Sequence, residues 1–590
     1  MISKQMIRMI SILLCSLILA FPLLQEERVV DAAPAANTIY TFDLNSYFPD
    51  RDPNDAEVYE FNLFMSTLQG IVNKKGPKLY LYHKVSSVLE NMTSREAQEG
   101  EQFWFNKFRS RGQWMSEYTV VSLSTLADVM NIFKSEITGI VLWDPKVDAT
   151  VNVATTAAGV ENAPIAMKGS ALAATLTTTY ALTVKQDLSG LFSGVNAKTD
   201  AYVWAKQQYI DTNKINPGLL GYVEDGYTRF PNTFHQNYTS ARDYLVQNKA
   251  FVIDLSPWND EKPNDAPSQT LGNDYNTLIS ILQALKDKWG NSRIISVVGF
   301  FPWWDKYSTH ESKGIHDPVS GEWKLTEVFS KYNATLVSIL DTFGQSNASF
   351  HTHAPVASKM TSPFRTPAAP ALGNKTYVVN IIGDHDGSTV SRSFNTFWKD
   401  ERRANTSLGW SLVPNFLEDT PDIAEYILSS ASPRDVFTAG ASGAGYSNPS
   451  FIASPAKWLE WNKYWYNSMG YTITGFMHNG NGGKLTSAME QDYALFSNDG
   501  LIGLADSLNT PLPAVRNNHM AVVRLDLIQR ADLTGASNIL YNFTQALTNP
   551  GTSPNFLAVH SAFGGPAFHE ELEKKAKAEH PEWNYEFVDP

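Results

Sequence analysis

Short apolar runs alternate along this chain with longer stretches whose apolar residues recur at helical spacing. Thr38 to Phe42 predicts a first strand. Glu57 to Val72 places Phe61, Phe64, Met65, Leu68 and Val72 on one helical face. Gly76-Pro77 ends that pattern, and Lys78 to Tyr82 predicts the next strand. Further strands are predicted at Thr119 to Leu123, Gly139 to Trp143 and Leu219 to Val223, with helices between them. This alternation predicts an N-terminal Rossmann-like α/β domain with a parallel sheet. A hydrophilic stretch, Glu224 to Asn248, sets the expected boundary near Thr239, dividing the chain into residues 34–239 and 240–590.

The second block opens with the strand Phe251 to Asp254 and a helix capped by Asn273. Leu278, Ile279, Leu282 and Leu285 share one face of that helix, and Gly290 follows its end. Strands are predicted at Ile294 to Phe301, Ala348 to His351, Thr376 to Ile382, Leu408 to Leu412 and Val436 to Ala439. Ile473 to Met477, Ala521 to Leu525 and Phe556 to His560 complete the series. Ser454-Pro455 starts a helix with Trp458, Trp461 and Trp465 on one face, a stripe that reads as core. Trp583 to Asp589 reads as a final docking segment. Many short strands, each followed by a helix, predict a β/α-barrel-like C-terminal domain whose site is built from loops at the strand C-termini.

The first residues are read apart from the fold. Lys4 and Arg8 precede an apolar stretch, Met9 to Leu24, and small residues follow at Ala32, Ala33, Ala35 and Ala36. This is the pattern of a secretory signal peptide, assigned to residues 1–33. The expected product is secreted, with no stable membrane insertion after cleavage. The only cysteine, Cys15, lies inside the apolar stretch. The mature chain would then be thiol-free, which excludes disulfides, zinc–thiolate sites and cysteine nucleophiles. A formal charge of −13 makes nucleic acid a poor partner. The 15 Trp and 25 Tyr suit a carbohydrate partner, because pyranose C–H faces stack on such rings.

Gly443-Ala444-Gly445-Tyr446-Ser447-Asn448-Pro449 follows the apolar run Val436 to Ala439. Two glycines allow a sharp turn and a close backbone approach, Tyr446 offers a flat amphipathic ring, and Pro449 stiffens the exit. The stretch resembles the signature of the GxGYxYP family of glycoside hydrolases, with Asn448 where the family has its second tyrosine. Leu68 to Asn73 and the strand after it are similar to the family's N-terminal part. The resemblance implies an α/β domain followed by a barrel-like domain. It also implies a carbohydrate substrate and no metal or other cofactor.

The densest chemistry follows the strand ending at Ile382: Gly383-Asp384-His385-Asp386-Gly387. Two carboxylates close together raise one another's pKa, and the neutral one can donate a proton. The family usually has Asp-Gly-Asp-Asn at this place, and Asp384 and Asp386 match its acidic positions. They are the expected catalytic residues, and the same acids would also suit a hard cation. Glycoside hydrolysis needs carboxyl groups roughly 5–5.5 Å apart for retention or 6.5–9.5 Å for inversion. Asp254, Asp305 or Glu418, each near a strand end, could therefore supply the partner. Gly443, Gly445, Tyr446, Trp303, Trp410, Asp254 and Asp305 are the expected substrate-binding set.

His351-Thr352-His353 is the competing constellation. On a strand both imidazoles would share one face and, with Asp384, form a metal-dependent, deacetylase-like centre. A non-catalytic glycan-binding protein is the third reading. Gly440-Ala441-Ser442-Gly443 lacks the fifth-place glycine of a nucleophile elbow, and Asn448 stands where a dinucleotide loop needs its last glycine.

Overall fold

The computed structural model describes residues 37–52, 55–84, 94–224, 241–302, 306–309, 314–338, 346–355, 371–385, 397–509, 513–528, 554–561 and 564–590. The expected signal peptide lies outside them. Among the described residues no helix is long and apolar enough to cross a membrane.

Three parallel sheets precede the barrel. The first runs β2-β1-β3, with β1 at Thr38–Asp43, β2 at Leu79–Tyr82 and β3 at Thr119–Leu123. The second runs β5-β4-β6, with β4 at Ile140–Trp143, β5 at Ile165–Met167 and β6 at Val184–Asp187. The third runs β10-β9-β7-β8, with β7 at Leu219–Tyr222, β8 at Phe251–Ile253, β9 at Ile295–Gly299 and β10 at Ala334–Ser338. Every residue of β4, β7 and β8 is buried. Continuous apolar runs suit parallel strands covered on both faces.

The helix Ala56–Val72 is buried from Val58 to Val72, around its whole circumference. The short helix Arg242–Gln247 packs across it and across the helix Ala149–Glu161. A side chain at Gly70 would collide with the Asp243 carbonyl, and one at Gly159 would come within 2.9 Å of the Val246 carbonyl. Bare backbone at these two crossings lets the three helices tie the sheets into one core.

The C-terminal sheet is a nearly closed parallel barrel. It uses β11 (Thr376–His385), β12 (Leu408–Leu412), β13 (Asp435–Thr438), β14 (Ile473–Met477) and β15 (Gly500–Gly503). After β16 (Ala514–Arg516) come β17 (Met520–Ile528), β18 (Asn555–Ser561) and β19 (Tyr585–Val588). The ring order is β13-β12-β11-β18-β17-β15-β14, with β16 antiparallel on β17 and β19 parallel on β11. A bridge between Ala439 and Thr474 brings β13 back to β14. There Ala439 N–H donates to the Ile473 carbonyl at 2.9 Å and Gly475 N–H to the Ala439 carbonyl at 2.7 Å. Ile381, Ile473, Phe476, Ile502, Leu525 and Ala558 form one buried cluster. They come from five of the seven ring strands, with Val436 of β13 packed against them, and fill the lumen. Ile473 and Phe476 both take part because the β14–β15 register shifts between Thr474 and Met477.

Several expectations change. The boundary near Thr239 falls between β7 and β8, which are hydrogen-bonded neighbours in one sheet. The sheet, not the hydrophilic stretch, decides that these strands belong together. Ala348–His351 is a helical turn instead of a strand, entered through Asn347 at φ 58°. The buried Asn347 side chain accepts from Leu81 N–H at 2.9 Å and donates to the Leu81 carbonyl at 3.0 Å, fixing the turn against β2. Gly272 precedes the helix Asn273–Leu285, so Asn273 is its first residue and not its cap. The C-terminal docking segment is β19.

A side chain at Gly475 would strike the Thr438 hydroxyl across the barrel seam. Gly475→Val should cost roughly 1–3 kcal/mol of stability, read by denaturant unfolding. The helix Pro566–Glu579 buries His569 completely, and neither ring nitrogen has a hydrogen-bond partner among the described residues. Burial, with nearby His560 adding, pushes the His569 pKa down from 6.5 to about 3. Between those values the unfolded chain takes up a proton that the folded chain refuses. Stability from this group is therefore present above 6.5 and lost as pH falls toward about 3. His569→Leu should remove a slope of up to about 1.4 kcal/mol per pH unit, measured by urea unfolding across that range.

Candidate active site

The loop after β13 is held in an unusual backbone path. Ala441, Ser442, Gly443 and Gly445 have φ of 54°, 75°, 141° and 99°. Two non-glycine residues in the left-handed region need strong support from their surroundings. Ser442 N–H donates to the Phe476 carbonyl at 2.9 Å, its hydroxyl donates to the His478 carbonyl, and the Tyr493 hydroxyl donates to the Ser442 carbonyl at 2.6 Å. Ser442 is thus a buried structural residue. A side chain at Gly443 would strike the Asn462 amide, whose oxygen accepts from Ala444 N–H at 2.8 Å.

Past that turn the loop meets β10. Tyr446 N–H donates to the Leu336 carbonyl at 2.7 Å, and Leu336 N–H donates back to the Tyr446 carbonyl at 3.1 Å. A side chain on Gly445 would come within 2.7 Å of that Leu336 carbonyl. Asn448 N–H donates to the Ser330 hydroxyl at 3.0 Å, and its side-chain amide donates to the Trp323 carbonyl at 3.1 Å. The barrel loop is therefore stitched to β10 and to the helix Pro318–Lys331.

The Tyr446 side chain is fully buried, and its hydroxyl donates to the Glu322 carboxylate at 2.5 Å. Its ring lies edge-on to His478, with centres 4.7 Å apart. From His478 the ring contacts continue to Phe476 at 5.5 Å, and from Phe476 to His560 at 4.8 Å. Trp323, half-buried on the covering helix, lies 6.1 Å from His478. A polar aromatic ladder thus runs from the barrel lumen to Glu322 at the C-terminal face. His560 is the register partner of Ile381, three residues before Asp384 at the end of β11.

The expected site residues separate into distinct environments. Asp384 ends β11 on the C-terminal face. Asp386, Trp303 and Asp305 lie outside the described residues. Gly443, Gly445 and Tyr446 come together, but they touch protein: they form the joint instead of an open sugar platform. Trp410 is 1 % exposed, and its indole donates to Asp435 at 2.8 Å, so it is a core residue and not a stacking surface.

Asp254 is also withdrawn from the expected set. It is buried in an ion pair with Lys306, inside a cluster that includes Lys198, Asp265, Asp274 and Tyr307. Lys198 reaches Asp274 at 2.8 Å and Asp265 at 3.0 Å. Burial opposes the Lys198 charge, but the two aspartates outweigh it and raise the lysine's pKa. Burial likewise drives the Asp274 carboxyl upward against the pull of Lys198.

The metal reading loses its geometry. His351 Nδ1 pairs with Asp422 at 2.9 Å, while His353 Nε2 faces the Asn73 carbonyl. A helical turn points the two rings at different partners. Among the described residues no group of three or more metal-ligating side chains assembles. Glu418 opens on a cavity outside the barrel, beside the helix Pro455–Met469. Sequence reasoning did not single out Glu322, His478 or a role for His560. His478 directly follows a buried strand, a signal that could have found it; Glu322 sits in mid-helix and carried none.

Residues 374–563 match the model described as "GxGYxYP putative glycoside hydrolase C-terminal domain". Residues 137–212 match the "GxGYxYP_N second domain". No curated protein matches the chain. The chain is similar in fold to a crystal structure titled as a putative hydrolase from Bacteroides thetaiotaomicron VPI-5482. The TM-score is 0.66 at 14% identity, over 94% of this chain and 93% of that one. The second match covers β4 to β6, and the first covers the barrel from β11 to β18, including Tyr446 and its loop. The stretches at residues 137–212 and 374–563 are GxGYxYP-family domains.

Proposed function

We propose that this protein is a secreted glycoside hydrolase acting on a poly- or oligosaccharide at the C-terminal face of the barrel. The observation that carries the reading is that the C-terminal ends of the barrel strands carry acids from two parts of the chain: Asp384 lies in the last two residues of β11, and Glu322 is held by the phenol of the family's motif tyrosine in the loop after β13. Asp386 follows two residues later. Secretion is supported by the charge and apolar pattern of residues 1–33.

In this chemistry one carboxyl group protonates the glycosidic oxygen as the bond breaks. A second attacks the anomeric carbon or deprotonates the water that does so. Asp384 and Asp386 are the proposed catalytic residues. Glu322 is an acid held in place by the Tyr446 hydroxyl. Trp323 offers an aromatic wall beside it.

Asp384→Asn and Asp386→Asn should each lower kcat at least about a hundredfold in reducing-end release from a screened glycan, the range of general acid–base contributions. Unchanged turnover in both would overturn the assignment. Tyr446→Phe should keep the fold but lower kcat more mildly, by about tenfold, because Glu322 loses the hydrogen bond that positions it. Unchanged kcat in Tyr446→Phe would exclude Glu322 from the reaction.

A further inference from the structure

A cavity of about 660 Å³ lies between the third sheet and the helix Pro455–Met469, on the outside of the barrel. Trp289, Tyr244, Trp461, Tyr464 and Trp465 supply aromatic walls, and Glu418 opens into it. The tryptophan stripe read from sequence as core is therefore divided. Trp458 is buried, but Trp461 is half-buried, and it faces this space together with Trp465. Tyr464, between them in sequence, is 62 % exposed at the cavity rim.

The other charges around the cavity are already engaged. Lys457 pairs with Glu460 at 2.9 Å, and the Arg293 guanidinium sits over the Trp289 ring at 4.9 Å. Glu418 makes no hydrogen bond or ion pair among the described residues, and neither does the Tyr244 hydroxyl, although Tyr244 is 6 % exposed. Desolvation by the neighbouring protein atoms, with Asp419 adding, raises the Glu418 carboxyl to about 7 although the residue keeps access to solvent. Glu418 is exposed, and it lines the cavity where the cavity meets solvent. Of the cavity's polar groups, the buried Trp465 indole N–H has no hydrogen-bond partner among the described residues, while Glu418 and the Tyr244 hydroxyl can exchange water for a ligand's hydroxyls.

An occupant that uses both the polar groups and the aromatic walls supplies hydroxyl groups and apolar faces together. A simple cation would satisfy Glu418 but leave the phenol of Tyr244 without an acceptor. A purely apolar ligand would satisfy neither. A pyranose offers hydroxyls that both donate and accept, and C–H faces that lie on aromatic rings. We infer that this cavity is a second saccharide-binding site, separate from the barrel face, in which Glu418 and Tyr244 bind sugar hydroxyls and Tyr464 and Trp461 stack on the ring. The inference rests on the carbohydrate reading of the protein for its choice of ligand class. The Trp461 indole also donates to the Ala444 carbonyl at 2.7 Å, so one wall of the cavity is pinned to the motif loop.

The test uses the full mature chain, with cellohexaose, chitohexaose, xylohexaose and maltohexaose as probes at millimolar concentrations. Binding is read by tryptophan fluorescence and calorimetry, and reducing-end release is followed separately. At least one hexaose should bind, and Glu418→Gln and Tyr464→Ala should each weaken it by about tenfold, or about 1.4 kcal/mol. Asp384→Asn should leave the cavity-dependent part of the binding in place. Tyr464 is exposed, so its loss leaves the fold intact, and a thermal melt checks Glu418→Gln. Binding insensitive to both cavity variants, or no binding by any hexaose, overturns the inference. Hydrolysis with cavity-insensitive binding would leave the barrel reading standing and remove only the second site. Cavity-dependent binding without hydrolysis would keep this site and remove the catalytic reading.

Discussion

The architecture depends on a reciprocal pair of backbone hydrogen bonds, from Tyr446 to Leu336 and back. They join a loop of the barrel to a strand of the third sheet. Such pairing needs the two backbones in direct contact, and Gly445 permits that contact where any side chain would crowd the Leu336 carbonyl. The whole loop from Ala439 to Pro449 is buried, so its N–H and C=O groups must find partners inside the protein. Phe476, Asn462, Trp461, Ser330 and Tyr493 provide them. The helix Pro318–Lys331 is thereby held over the C-terminal ends of β13 and β14, and Glu322 arrives where barrel enzymes carry out their chemistry. The family motif serves first as a structural joint, and its tyrosine reaches the candidate site through one phenolic proton.

Buried charge sets the second constraint. The cluster at the end of β8 brings two lysines and three aspartates out of water. Each ion alone would be expensive to bury; together they offset much of one another's desolvation, and loss of any single member would strand the rest. That arrangement removes Asp254 from the pool of free acids. Asp435 removes Trp410 from the pool of free aromatic faces in the same way, by accepting its indole proton. A strand-end carboxylate or tryptophan becomes functional only when the fold leaves it without such a partner, which is the condition of Glu418 in the outer cavity.

Strands that were readable in the sequence carry three or more apolar or β-branched residues within four or five positions. Ile140 to Trp143, Leu408 to Leu412 and Ile473 to Met477 are examples. β15 escaped notice because Gly500 and Gly503 leave only two apolar residues between them, and β5 and β6 are short or polar. Ala348 to His351 has strand-like composition but folds as a helical turn, because Asn347 spends its side chain on the backbone of β2. That interaction spans more than two hundred and sixty residues and has no local signature.

The sequence by itself determined the class of the protein: alternating strands and helices, a motif loop rich in glycine, and an acidic run at the end of a buried strand. These are local properties, set by side-chain periodicity and backbone freedom within a few residues. Only the tertiary structure decided which strands share a sheet and where the barrel closes. It also decided which acids are consumed by lysines and which open on a cavity. Each of those outcomes depends on contacts between residues far apart in the chain. Lys306 claims Asp254, Glu322 meets Tyr446, and Glu418 faces Tyr244 through long-range packing that local sequence does not encode.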